Sequence, residues 1–262
     1  MLEVQFEMYD ETHFRYEQTG KERVKGFMKG ILYGVGVGPG DPELMTIKAA
    51  KTIRENHVIA LPGEVATETT AYKIAVQSVP ELAEKKLLSL HMPMTHDKAE
   101  QARNHDAAAE VIAEYLRQGE NVVFLTLGDP TVYSTFAYVQ KRVEDKGFET
   151  RIISGVPSFC AAAARAGISL CEWQQQLHVI PAAHHKRKDS PTEEGGDFSR
   201  PGTYVLMKAG SKLGEVKKEL VKSGKTMMMV ENCGMPDEKV YLREEEIPEQ
   251  AGYFTLVIAK EK

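Results

Sequence analysis

Gly34-Val35-Gly36-Val37-Gly38-Pro39-Gly40-Asp41-Pro42 is the stretch around which the rest of the chain is arranged. It leaves an apolar run, Ile31 to Val37, that reads as a buried strand. It ends in Asp41-Pro42, where a carboxylate suited to capping precedes a proline suited to the first turn of a helix. Strand, glycine turn and helix in that order make a ligand site, because glycine permits positive φ and close approach of backbone to a bound molecule, and helix amides lie nearby. The spacing is not that of a dinucleotide fingerprint: counted from Gly34 or Gly36, the sixth position of GxGxxG falls on Pro39 or Asp41. By itself the loop fits a small-ligand site and a plain tight turn equally well.

Working outward, the 262 residues are 42% hydrophobic and 27% charged, a balance that supports two modest cores and hence one or two domains. No apolar run reaches the ~18 residues of a membrane span and no charged-then-apolar leader opens the chain, so the expected compartment is the cytoplasm and no membrane partner is expected. Cys160, Cys171 and Cys233 are odd in number and lack CxxC spacing, which argues against a disulfide framework and a zinc knuckle and for reduced, structural thiols. A net charge of -5 gives no general attraction for nucleic acid, so an anionic partner must meet a local basic patch.

Residues 1–27 are polar and aperiodic and read as an extension outside the fold. Beyond Ile31, strand and helix alternate. Thr46 can cap a helix whose Ile47, Ala50 and Ile53 share a face, and Val58 to Leu61 is the next strand. A helix from about Asp106, with Ala108, Val111, Ile112, Tyr115 and Leu116 at helical spacing, stops at Gly119. The strand Val122 to Leu127 ends in Gly128-Asp129-Pro130, a second polar turn at the edge where open α/β sheets place ligands. A helix through Phe136, Val139 and Val143 then leads to the strand Arg151 to Ser154. A third turn, Gly155-Val156-Pro157-Ser158, opens an alanine-rich helix closing at Gly167. After it the texture changes. His178 to Ala182, Tyr204 to Ala209, Met227 to Glu231, Val240 to Arg243 and Tyr253 to Ala259 are strand-like, with one helix between Leu213 and Val221. The expectation is an α/β protein with a parallel-sheet N-terminal domain, residues 28–157, and a mixed-sheet C-terminal domain, residues 158–262.

Asp41 and Asp129 each follow a glycine and precede a proline. Either fits a helix cap, and together, at successive strand ends, they favour a functional rim. The basic cluster from His184 to Lys188 fits a solvated loop, or a cover over the cleft for a polycarboxylate. No HxxxH or HxH spacing supports a metal site, and no GxSxG or cysteine signature supports covalent catalysis. His91, His96 and His105 read as surface residues, and Met227-Met228-Met229 as filling for a buried strand.

The run from Gly36 to Leu44 with Thr46, Lys48 and Ala49, then Gly128-Asp129-Pro130 and Ser154-Gly155-Val156-Pro157-Ser158, resembles the tetrapyrrole methylases, S-adenosylmethionine-dependent enzymes of corrin and sirohaem synthesis. The resemblance runs from Lys29 to the C-terminus. Gly128 to Thr135 and Glu231-Asn232-Cys233-Gly234-Met235 resemble the branch that methylates C20 of precorrin-2 or its cobalt form. Leu61-Pro62-Gly63 stands where the uroporphyrinogen-III methylases have an Asp-Arg pair, and Pro157-Ser158 stands where some relatives have Thr-Ala. The resemblance implies two α/β domains with S-adenosyl-L-methionine in the cleft between them, S-adenosyl-L-homocysteine as product, a tetrapyrrole substrate and a homodimer. Carried over, Gly38, Pro39 and Gly40 shape one wall. Gly128, Asp129 and Val132 hold the amino-acid and ribose portions, and Ser158, Lys208 and Cys233 line the rest. Arg165, Lys186, Arg187 and Lys188 are the candidates for the carboxylates of the substrate. No catalytic base is singled out. Methylation of another corrin carbon, of an RNA ribose or of a modified histidine, a nucleotide-binding oxidoreductase, and a non-catalytic carrier remain as alternatives.

Overall fold

Two five-stranded sheets follow one another along the chain, the first wholly parallel and the second mixed. The computed structural model describes residues 29–95, 97–182 and 198–261, so the extension 1–27, His96 and the run from His184 to Lys188 lie outside the described residues.

The first sheet contains β1 (Ile31–Gly36), β2 (Val58–Pro62), β3 (Lys86–Leu90), β4 (Val122–Thr126) and β5 (Glu149–Ile153), in the spatial order β3-β2-β4-β1-β5. Around it lie α1 (Ile47–Glu55), α2 (Thr70–Ser78), α3 (Lys98–Arg117) and α4 (Phe136–Asp145). Successive side chains of a strand point to opposite faces. β4 therefore sends Val122 and Phe124 into one core with Leu32, Ile112, Leu116, Phe136 and Val139. It sends Val123 and Leu125 into another with Ile53, Ile59 and Ile74. Cover on both faces is why these strands read as continuous apolar runs. β1 and β4 are neighbours, yet the chain leaves β1 for α1 on one face and β4 for α4 on the other. Such a divergence opens a crevice at the carboxyl ends of the strands.

Three local expectations change. The helix expected from Asp106 begins at Lys98, because Asp97 caps it by accepting from the N–H groups of Ala99 and Glu100. Its first turns are largely solvent-facing, so no apolar period announced them. His105 lies on this helix with its ring stacked on Tyr138 at 5.0 Å, where burial and the Arg142 charge hold its pKa below the ordinary range. Ile47, expected on the apolar face of α1, is 89% exposed; the buried face is Ala49, Thr52 and Ile53. Helix α2 and strand β3 have no counterpart in the sequence reading.

The second sheet contains β6 (Leu177–Pro181), β7 (Thr203–Met207), β8 (Thr226–Glu231), β9 (Lys239–Tyr241) and β10 (Thr255–Lys260), in the order β6-β7-β10-β8-β9. β6 pairs parallel with β7, and the remaining pairs are antiparallel. On one face α6 (Leu213–Lys222) packs Leu213, Val216 and Leu220 against Leu206, Met227, Met229 and Val257. Met227 and Met229 are thus core residues, as expected. On the other face α5 (Ser158–Arg165) lays Ala161, Ala162 and Ala163 against Val205, Val230, Leu256 and Ile258. Side chains this small let the helix come close to the sheet. Val132 and Val156, from the turns of the first sheet, join this cluster, so the face beneath α5 is where the two halves meet.

Candidate active site

The three turns expected at the strand ends converge. Gly38 and Gly128 form an isolated antiparallel bridge, with the Gly128 N–H donating to the Gly38 carbonyl at 2.8 Å. Both have positive φ, +82° and +70°, where glycine is favoured. Behind them Gly36 and Gly155 are pressed together. A Cβ on Gly36 would lie 2.4 Å from the Gly128 carbonyl oxygen, and one on Gly155 would lie 2.2 Å from the same atom. Only a chain without side chains at both positions closes this contact. Asp41 does cap, its Oδ1 accepting from the Glu43 N–H at 2.9 Å, but it opens a single 3-10 turn, Pro42–Leu44. Helix α1 has its own cap in Thr46, whose Oγ1 accepts from the Ala49 N–H at 3.1 Å.

Asp129 holds the turns in place. It is 5% exposed. Oδ1 accepts from the Thr131 N–H at 2.7 Å and from the Thr131 hydroxyl at 2.6 Å, and Oδ2 accepts from the Gly155 N–H at 3.0 Å and from the Ser154 hydroxyl. Burial alone would raise the pKa of this carboxyl, but these donors outweigh it and hold the group below the ordinary aspartate range. Its oxygens are occupied inside the protein, so Asp129 acts on the rim by fixing backbone. The next turn residue, Tyr133, has φ +47° and donates its phenol hydrogen to the Val179 carbonyl of β6 at 2.9 Å, tying the turn after β4 to the second sheet.

The second sheet answers with bends at the ends of β7 and β8. Lys208 and Asn232 follow these strands in the left-handed region, at φ +58° and +52°, a conformation that costs on the order of 1 kcal/mol or more for a non-glycine residue. The Asn232 Nδ2 donates to Asp237 Oδ2 at 2.6 Å, and the Asn232 N–H donates to the Phe254 carbonyl at 3.0 Å. Cys233 and Gly234 then meet the glycine turn of the first sheet. A Cβ on Gly40 would stand 2.1 Å from the Cys233 carbonyl oxygen, and one on Gly234 would stand 2.4 Å from the Asp41 nitrogen.

A pocket opens at this meeting. Pro39 comes from the first turn and Ser158 from the start of α5; Met207, Lys208, Cys233, Met235 and the segment from Tyr253 to Leu256 complete the lining. Of the expected cofactor residues, Pro39, Ser158, Lys208 and Cys233 thus share one pocket. Gly38, Gly40, Gly128 and Asp129 build the turns beside it, and Val132 packs beneath. The Lys208 Nζ lies 5.5 Å from the Tyr253 ring centroid, over its face. Burial, with the Glu238 charge beside it, pushes the Cys233 thiol up to about 11, so at neutral pH it is neither thiolate nor base. Cys160 and Cys171 are free, as expected, but exposed rather than buried as structural thiols. Arg165, an expected substrate ligand, has its guanidinium engaged by Glu238. Among the described residues, no group of His, Cys, Asp and Glu is placed to hold a metal ion.

The sequence reading missed Met207, Tyr253, Phe254 and Leu256 as lining residues. They come together through antiparallel pairing, in which Leu256 stands opposite Met207. No turn signature marks such a meeting; only the register does.

A two-sheet α/β protein whose parallel-strand turns close onto the bends of a mixed sheet, around an apolar pocket with a few polar groups, is a small-molecule site of recognisable class. The sequence profile of the tetrapyrrole (corrin/porphyrin) methylases matches residues 31–248, and the chain belongs to that family. It is 35% identical over 151 residues to the probable cobalt-precorrin-2 C(20)-methyltransferase of Methanocaldococcus jannaschii, a match spanning 57% of this chain and 63% of that protein. It is 28% identical over 246 residues to the precorrin-2 C(20)-methyltransferase of a Sinorhizobium species, covering 90% of this chain and 97% of that one. Its fold matches that of the Thermus thermophilus uroporphyrin-III C-methyl transferase complexed with S-adenyl homocysteine, with a TM-score of 0.64 at 21% identity over 88% of this chain and 92% of that one.

Proposed function

We propose that the protein is an S-adenosylmethionine-dependent C-methyltransferase that methylates C20 of precorrin-2 or cobalt-precorrin-2. Supporting this reading are the family, the names of the relatives at 28–35% identity, and one observation above the others: Pro39 of the glycine turn and Cys233 of the facing bend enclose an apolar pocket at the junction of the two sheets. The donor set fits an adenosyl ligand. Pro39, Met207, Met235, Phe254 and Leu256 offer apolar cover, and Ser158 and Lys208 offer a hydroxyl and a cation at its margin.

The methyl donor supplies an activated methyl group on a sulfonium. What the chain contributes is position: Gly38, Pro39, Gly40, Gly128 and Val132 shape one wall, Ser158, Lys208 and Cys233 the other, and Asp129 keeps the first wall rigid. Holding two reactants in line in a water-poor cleft is worth several kcal/mol, up to about 7–11 in well-aligned systems. Protonated at neutral pH, Cys233 contributes shape rather than proton transfer. The two functional units are residues 28–157 and 158–262, a division supported by the packing of α5 on the second sheet. The run Lys186-Arg187-Lys188 meets the carboxylates of the substrate. The protein works as a cytoplasmic homodimer; the free, exposed Cys160 and Cys171 suit a reducing compartment.

The test is direct. Purified protein is incubated with S-adenosylmethionine and precorrin-2, with and without cobalt, and the new methyl carbon is located by NMR. A methyl at C20 is expected; a methyl elsewhere moves the protein to another branch, and binding without transfer makes it a carrier.

A further inference from the structure

The Asn232–Gly234 bend of the second sheet has left-handed φ at two of its three residues, and its Asn232 end is held by the bonds to the Phe254 carbonyl and to Asp237. A second carboxylate reaches its Gly234 end. Glu238 Oε2 accepts from the Gly234 N–H at 2.6 Å, and Oε1 accepts from Arg165 Nε at 2.7 Å and from its Nη2. The Glu238 side chain is 11% exposed, whereas that of Arg165 is 60% exposed. An exposed ion pair alone is worth little. A nearly buried carboxylate accepting a glycine amide is a charge-assisted bond of a stronger kind.

We propose that Glu238 is a positioning residue for the methyl-donor pocket: through the Gly234 amide it sets the bend that carries Cys233, and Arg165 keeps the carboxylate aimed. The inference rests on the methylase reading of the pocket. Glu238 itself stands outside that pocket and lines a separate polar cavity with Asp41, Leu44, Arg165 and Pro236, the two cavities sharing Cys233 and Met235. Motion of the bend is therefore transmitted to two residues, Cys233 and Met235, that line both. It is also transmitted to the first sheet, because the Cys233 carbonyl and Gly234 abut Gly40 and Asp41 with no room for a Cβ. A wall displaced by an ångström in such a site is enough to cost a large factor in binding or rate.

The experiment compares full-length wild type with Glu238→Ala, Glu238→Gln and Arg165→Ala. Affinity for S-adenosylhomocysteine is measured by calorimetry, KM and kcat in the methyl-transfer assay, and the labelling rate of Cys233 by a thiol reagent in ligand-free protein, followed by mass spectrometry. Glu238→Ala should weaken S-adenosylhomocysteine about tenfold or more and raise the KM for the donor by a similar factor. Its kcat at saturating donor should stay within about threefold, and Cys233 should label at least fivefold faster. Glu238→Gln keeps an oxygen for the Gly234 amide and should recover affinity to within about threefold. Arg165→Ala should fall between the two.

Equal affinity in Glu238→Ala and wild type, with unchanged Cys233 labelling, would overturn the role, as would a glutamine variant as weak as the alanine one. If the alanine variant does not fold, the glutamine and Arg165 variants still decide the matter by the same readouts. Should wild type bind no S-adenosylhomocysteine at all, the methylase reading fails; the labelling rates, taken without ligand, then support or overturn the positioning role by themselves.

Discussion

In the first sheet Asp129 gathers two neighbouring turns with four hydrogen bonds, whereas in the second Glu231 and Glu238 each reach out to a single glycine amide, those of Gly252 and Gly234, at 2.6 Å. The difference follows from strand direction. Parallel strands deliver all their carboxyl ends to one edge, so the turns after β1, β4 and β5 already lie side by side and glycine lets them touch. In a mixed sheet the pocket edge collects the ends of β7 and β8 with the start of β10, segments widely separated in sequence and entering from different directions. Contact there is maintained by long side chains that stretch to backbone amides. One half of the pocket is therefore a close-packed backbone cluster and the other is a set of tethered bends.

The largest effect that tests this contrast is a pair of glycine substitutions. In Gly36→Ala the new Cβ would meet backbone on two sides, the Gly128 carbonyl at 2.4 Å and the Gly155 nitrogen at 2.8 Å. A loss of about 3 kcal/mol or more, or failure to fold, is expected in urea unfolding. In Gly252→Ala the Cβ would meet only the tip of Glu231, at 2.9 Å, which can give way, so the loss should be about 1 kcal/mol. Comparable losses would erase the distinction between packed and tethered halves.

Asp129→Asn comes next. Bonds to a charged acceptor contribute about 1.5–3 kcal/mol each, so the variant should be destabilised by at least that amount at pH 7. The native pKa of Asp129 lies below its unfolded value, the donors outweighing burial. Its contribution is thus complete above the ordinary aspartate range and is lost as pH falls through the native value. The gap between wild type and variant, measured by unfolding at pH 7 and pH 3, should narrow at the lower pH. A constant gap would mean that shape rather than charge holds the turns.

The smallest expected effect is that of Tyr133→Phe, which removes the bond to Val179 between the two halves while leaving both sheets intact. Stability should change by about 1 kcal/mol or less, and S-adenosylhomocysteine binding should weaken about fivefold. An unchanged affinity would show that the halves hold their spacing without this tie.

Much of the first half is legible in the sequence. Gly36, Gly128 and Gly155 announce turns by residue type, and the apolar stretch Val122 to Leu127 announces a buried strand. Asp129 was legible as a rim residue, but its buried carboxylate, spent on Ser154, Thr131 and Gly155, was not, because those partners are chosen by how β4 and β5 flank β1. Helix α3 was read only where its apolar stripe begins. Arg165 looked like a free cation in the sequence; its pairing with Glu238 depends on the approach of two segments 73 residues apart. Cys233 was named as a lining residue by the resemblance, but its burial and raised thiol pKa come from what packs over it.

From sequence alone came the alternation of strand and helix, the three glycine-bearing turns and the family to which they point, because these rest on local chemistry: backbone freedom at glycine, capping at aspartate, apolar period along a strand. Tertiary structure decided which faces of those turns meet, how Met207, Cys233 and the Tyr253–Leu256 segment close the pocket, and which backbone amides the carboxylates of Asp129 and Glu238 hold. Antiparallel register and long-range side-chain reach set those outcomes, and neither leaves a mark within a window of neighbouring residues.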